Sequence, residues 1–110
     1  MKHKYGNFTE TQMLLTKRSV RKQIFFLLLC ADPKTKNDYT HVDVGEAFKG
    51  LLYKLDGLNS VLGEPQELVD TISLLEEARI KYNEPKLNFK TYRRLILNAG
   101  SLIDAIKEVE

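Results

Sequence analysis

The chain has no tryptophan, one cysteine and only three prolines among its 110 residues. A disulfide needs two cysteines, so the single thiol of Cys30 excludes a disulfide framework within the chain. The basic first residues lack the apolar segment of a secretory signal. The longest apolar run, residues 24–31, is far shorter than the roughly 20 residues that cross a bilayer. These absences predict a cytoplasmic protein with no membrane span, in which Cys30 is a buried and inert thiol.

Signals of catalysis, cofactor binding and metal binding are equally scarce. The two histidines, His3 and His41, stand in an arm and a loop, without the spacing of a metal site. No glycine-rich phosphate loop follows a strand, and no serine or cysteine has an evident base beside it. The sequence therefore favours a protein that is not an enzyme and that uses no metal and no cofactor.

What remains is the composition of one folded domain. Hydrophobic residues make up 43% of the chain, and the formal net charge is +2, which is too small to indicate nucleic acid by itself. The length is that of about one domain. We expect a flexible basic arm over residues 1–8 and a single helical domain over residues 9–110.

Four segments have the apolar spacing of amphipathic helices. Thr9 and Gln12 have the spacing of a capping box, which predicts the start of the first helix, and Pro33 stops it. Asp43 predicts the start of the second helix. The predicted core positions of the first two helices are Met13, Val20, Ile24, Leu27, Leu28, Ala31, Val44, Phe48, Leu51, Leu55, Leu58 and Leu62.

The third and fourth helices follow short breaks. Gly63 suits a left-handed cap that ends the second helix, Pro65 suits the first position of the third, and Asn88 suits the cap of the fourth. Two short links favour antiparallel neighbours. The sequence therefore predicts an all-α, four-helix antiparallel bundle that forms a homodimer. The core positions of these helices are Leu68, Ile72, Leu75, Ala78, Tyr82, Phe89, Tyr92, Leu95, Ile96, Ala99, Leu102, Ile103 and Ile106.

The apolar run of residues 24–31 gives the first helix more than one apolar face. Phe25, Phe26 and Leu29 point away from the stripe that faces the core. Either the other helices and the long loop cover them, or a second copy covers them across a two-fold axis. A pocket for a small ligand is a third alternative. We predict Phe25, Phe26 and Leu29 as a protein interface.

Basic residues are concentrated in the first and fourth helices. A nucleic-acid-binding regulator would use them to contact phosphates, because lysine and arginine supply most of the affinity for a nucleic-acid backbone. The alternative is a solvated face paired with acids on neighbouring helices, such as Asp104. In an antiparallel bundle the two basic sets need not meet. The candidate phosphate contacts are Lys17, Arg18, Arg21, Lys22, Arg93 and Arg94.

The link over residues 32–42 is the longest between the predicted helices. Long links in compact domains often hold functional contacts, and this one contains Lys34, Lys36, Tyr39 and His41. A passive connector is the alternative.

Three blocks of the chain, "FFLLLCADPKTKNDY", "AFKGLLYKLDGLNSVL" and "YRRLILNAGSLIDAIKE", resemble small helical proteins of Gram-positive plasmids and conjugative elements. The resemblance covers residues 20–108. It implies a non-enzymatic regulatory or accessory role in replication, copy control, maintenance or transfer of a mobile element. Size and helical pattern are also similar to those of bacteriocin immunity proteins. That similarity implies a protein target bound by the loop or by the C-terminal helix.

Overall fold

The computed structural model describes residues 2–3, 6–7 and 10–106. Its helices are α1 (Glu10–Leu29), α2 (Val44–Leu62), α3 (Gln66–Tyr82) and α4 (Phe89–Ala105). Two strands of two residues each, β1 (Lys2–His3) and β2 (Gly6–Asn7), pair antiparallel, which the sequence pattern did not predict. The all-helical fold class is confirmed for the domain. Thr9, the predicted cap of the first helix, and residues 1, 4, 5 and 8 of the predicted arm lie outside the described residues.

Helix α1 ends two residues earlier than its apolar stripe. The last helical residue is Leu29, and the N–H of Asp32 donates to the carbonyl of Leu28 in the turn that follows. The hydroxyl of Thr35 donates to the carbonyl of Leu29 over 2.7 Å. A 3₁₀ turn, Lys36–Tyr39, then lies within the long link. The link is thus attached to the end of α1 by side-chain and main-chain hydrogen bonds.

Side-chain caps begin α2 and α4 as the sequence predicts. The carboxylate of Asp43 accepts from the N–H of Glu46 over 3.1 Å, and the amide oxygen of Asn88 accepts from the N–H of Thr91 over 3.2 Å. At the end of α2, Gly63 has φ of 80°, the left-handed cap that favours glycine. The prediction for Pro65 is wrong by one residue, because Pro65 precedes the first helical position of α3.

The four helices pack as a bundle around one core. Helix α1 packs against α2 and α4, and α3 also packs against α2 and α4, so α1 and α3 lie on opposite sides of the bundle. Every predicted core position is buried or half-buried. The apolar periodicity of the sequence therefore identified the inner face of each helix.

An aromatic cluster joins three helices at one end of the core. Phe48 of α2, Tyr82 of α3 and Tyr92 of α4 lie with ring centroids 5.8–6.4 Å apart. The hydroxyl of Tyr92 donates to the carbonyl of Leu27 in α1 over 2.8 Å. The cluster thus connects all four helices at the end where the long link leaves α1.

Candidate interaction surfaces

The outward side of α1 carries both apolar and basic side chains. Leu14, Leu15 and Phe25 are each more than half exposed. Arg18 and Lys22 are exposed between them and have no hydrogen bond or ion pair within residues 10–106. We call these five residues the α1 face. Contiguous exposed apolar side chains are a common feature of surfaces that bind partners.

The structure separates the three residues predicted as an interface. Phe25 is exposed and lies beside Leu97 and Gly100 of α4. Phe26 is half-buried and packs edge-to-face on Tyr39 of the long link, with ring centroids 5.4 Å apart. Leu29 is also half-buried. The link therefore covers Phe26, and Phe25 is the predicted residue that remains most open to a partner.

A groove of about 410 Å³ separates α1 from α2. The apolar part of the groove is formed by Phe26 and Leu51 together with Gly50. The space beside Gly50 is open, because a Cβ atom added to this glycine would meet nothing within 4 Å. Lys22 and Glu46 lie on opposite sides of the groove. The groove therefore combines apolar residues with one cation on α1 and one carboxylate on α2.

Two of the four basic residues of α1, Lys17 and Arg21, form bonds with another part of the protein. The guanidinium of Arg21 pairs with the carboxylate of Asp104 over 2.8 Å, and Lys17 donates to the carbonyl of the same residue over 3.3 Å. The carboxylate of Asp104 therefore balances the charge of Arg21, and the main-chain carbonyl of Asp104 accepts from Lys17. Arg18 and Lys22 are the members of the set that remain available to a partner.

The basic set on α4 lies away from the set on α1. Lys90, Arg93 and Arg94 line a shallow surface groove of about 440 Å³ with Asn88, Thr91, Leu97 and Asn98. Arg93 lies near the start of α4, about 16 Å along the helix axis from Asp104 at 1.5 Å per residue. The structure therefore does not join the two basic sets into one patch.

Charge is divided between the two sides of the bundle. Helices α1 and α4 carry seven basic and two acidic residues, whereas α2 and α3 carry four basic and six acidic residues.

The outward side of α3 presents Val69, Glu76, Glu77 and Ile80, which we call the α3 face. Val69 is 39% exposed and Ile80 is 62% exposed. The apolar spacing of the sequence did not identify this face, because that spacing marks only the buried side of α3.

The core holds the protein's one cysteine, and burial makes its thiol less acidic. Cys30 is buried, and burial raises the pKa of its thiol above the ordinary value. A raised pKa keeps the sulfur protonated, whereas the thiolate is the nucleophile. The buried position predicted for Cys30 is confirmed, and the structure adds no base that would activate it.

Within residues 10–106, no group of three or more histidine, cysteine or acidic side chains is placed to hold a metal ion. No helix in the described part of the chain is both long enough and apolar enough to cross a membrane. No protein-family model, no curated protein and no solved structure matches this chain.

Proposed function

We propose that this protein is a non-enzymatic, cytoplasmic binding protein that acts through protein–protein contacts. The α1 face is its contact surface, and the observation that carries the proposal is the exposure of Leu14, Leu15 and Phe25 on one helix. A regulatory or accessory role for a plasmid or conjugative element agrees with the resemblance of the chain to small proteins of such elements. In this role the bundle is a rigid support for the α1 face.

The antiparallel arrangement is part of this proposal, and hydrogen bonds between helices support it. Tyr92, near the start of α4, reaches Leu27 near the end of α1. Asp104, at the end of α4, reaches Arg21, which lies earlier in α1. Lys54, in the second half of α2, donates to Ser19 in the first half of α1 over 3.2 Å. The long link that follows α1 covers Phe26 and leaves Phe25 exposed to a partner.

A comparison of tagged variants in the cells that naturally carry the protein tests the α1 face. The wild-type protein is expected to co-purify with a partner in a fixed ratio. Phe25→Glu is expected to lose that partner, because the contact would lose an apolar ring and would have to remove water from a charged carboxylate instead. Tyr53→Glu is the matched control, since Tyr53 is 84% exposed on α2.

Circular dichroism first checks that each variant is folded. If the variants retain the same proteins, or if no partner co-purifies, the α1 face is not the contact surface. Loss of the partner with Arg93→Glu/Arg94→Glu, but not with Phe25→Glu, would move the target to α4. Helix α4, like the long link, is a position that the similarity to bacteriocin immunity proteins implies for a protein target.

A second candidate function is favoured by the groove on α4. Three basic side chains and several amide or hydroxyl side chains line it, and such groups bind phosphate oxygens. On this reading the protein is a nucleic-acid-binding regulator, in which Arg93 and Arg94 contact phosphates. Arg18 and Lys22 would form a separate contact, whereas Lys17 and Arg21 are already bound to Asp104.

Fluorescence anisotropy with a labelled 20-base-pair duplex tests the nucleic-acid reading. Arg93→Glu/Arg94→Glu is expected to weaken binding at least about tenfold and to reduce the salt slope by about two. Lys49→Glu/Lys54→Glu makes the same change of net charge on α2 and is expected to bind more like the wild type. Equal losses in both variants, or wild-type binding that ignores salt, would contradict a phosphate contact on α4.

A further inference from the structure

The α1 face and the α3 face carry the same pattern with opposite charge. On α1, Leu14 and Phe25 are eleven residues apart, and the cations Arg18 and Lys22 lie between them. On α3, Val69 and Ile80 are also eleven residues apart, and the anions Glu76 and Glu77 lie between them. Eleven residues make about three turns, so both apolar pairs share one side of their helix and are about 16 Å apart.

The two faces match when the two helices run antiparallel. If the helices run antiparallel, Leu14 opposite Ile80 and Phe25 opposite Val69 place Arg18 opposite Glu76. A cation of one helix therefore comes within reach of a carboxylate of the other.

From this match, and resting on the proposed function, we infer that the α1 face binds the α3 face of a second copy of this chain. The two faces differ, so the contact is head-to-tail. Because α1 and α3 lie on opposite sides of the bundle, each copy keeps one free face after the first contact forms. Association therefore continues beyond the dimer.

The charges also argue against a symmetric seam between two copies of α1. A two-fold axis through the middle of the α1 face would bring Arg18 and Lys22 of both copies together. Like charges across a contact are unfavourable, and no acid of the α1 face relieves them. The α3 face supplies Glu76 and Glu77, which have no ion-pair partner within residues 10–106. Complementary charge thus selects α3 as the occupant.

Light scattering of the purified full chain at low salt tests the inference. The average mass is expected to keep rising with concentration up to about 1 mM, which populates even weak contacts. Two double variants with reversed charges are each expected to be monomeric, because the α1 face and the α3 face of each variant then carry charges of the same sign. The variants are Arg18→Glu/Lys22→Glu and Glu76→Lys/Glu77→Lys. An equal mixture of the two variants is expected to associate again, because each face finds its opposite.

A second pair of mixtures separates a specific contact from general attraction between oppositely charged proteins. Phe25→Ala in both variants is expected to abolish association of the mixture, whereas Tyr53→Ala in both is expected to preserve it. A wild-type protein that stays monomeric, a mass that stops at two chains, or a lysine variant of α3 that still associates would overturn the inference. A monomeric wild type whose partner is still lost with Phe25→Glu would overturn it and leave the proposed function standing.

Discussion

Phe48→Ala is expected to lower the free energy of unfolding by about 3–5 kcal/mol, the usual loss for a buried phenylalanine. The ring of Phe48 is fully buried, and it packs against Tyr82 and Tyr92 with centroids 6.4 Å away. Alanine would leave a cavity where α2, α3 and α4 meet, and neighbouring side chains fill such a cavity only in part. Urea unfolding monitored by circular dichroism measures the loss.

Phe25→Ala is the control for this effect. It removes the same ring from a half-exposed position on α1, where the expected loss is below about 1 kcal/mol. Similar losses at Phe48 and Phe25 would mean that the aromatic cluster is not the centre of the core. A mass measurement at the same concentration ensures that the two variants are compared as the same species.

Tyr92→Phe is expected to lower the free energy of unfolding by about 1–3 kcal/mol, although the change removes only a hydroxyl. That hydroxyl donates to the carbonyl of Leu27, which receives no main-chain N–H from the turn after α1 in the described chain. The substitution leaves this buried carbonyl without its donor. Tyr53→Phe removes an exposed hydroxyl and is expected to have no measurable effect in the same urea experiment.

The same hydroxyl makes the free energy of unfolding depend on pH in the alkaline range. Burial raises the pKa of Tyr92 well above the ordinary value, and the negative charges of Tyr82 and Cys30 add to the rise. In the unfolded chain a tyrosine loses its proton near pH 10, whereas folded Tyr92 keeps it. The unfolded state then binds fewer protons, so the free energy of unfolding falls as the pH rises above about 10.

Urea unfolding between pH 8 and pH 11 measures this slope. The slope is expected to be smaller in Tyr92→Phe, because phenylalanine has no proton to lose. The pKa of Tyr82 is also raised by burial, so Tyr82 accounts for part of the slope that remains in this variant. An unchanged slope in Tyr92→Phe would show that its hydroxyl does not hold the proton in the folded state.

Local sequence signals predicted the helices and most of their ends. Asp43 and Asn88 cap α2 and α4 because each side chain reaches an N–H three residues ahead in the same segment. Gly63 ends α2 because glycine adopts a positive φ without a steric penalty. The end of α1 was less well predicted, since hydrogen bonds from Thr35 and Tyr92 to the last turn of α1 come from outside the helix.

The candidate surfaces needed distances that the sequence does not contain. The sequence identified Phe25, Phe26 and Leu29 as surplus apolar residues, but only packing showed that Tyr39 covers Phe26. It identified the basic sets, but it could not show that Lys17 and Arg21 meet Asp104, 83 residues after Arg21. It did not identify the α3 face, because a solvated acidic side is the ordinary outer side of any helix.

The sequence by itself determined the helical class, the inner side of each helix and three of the caps, because these follow from a repeat of 3.6 residues and from contacts and backbone preferences within one segment. Only the tertiary structure decided which surplus apolar side chains remain in water and which cations remain unpaired. Both depend on neighbours that are distant in the chain. The placement of α1 and α3 on opposite sides of the bundle is likewise a property of the packed helices, and it makes their two faces available to separate partners.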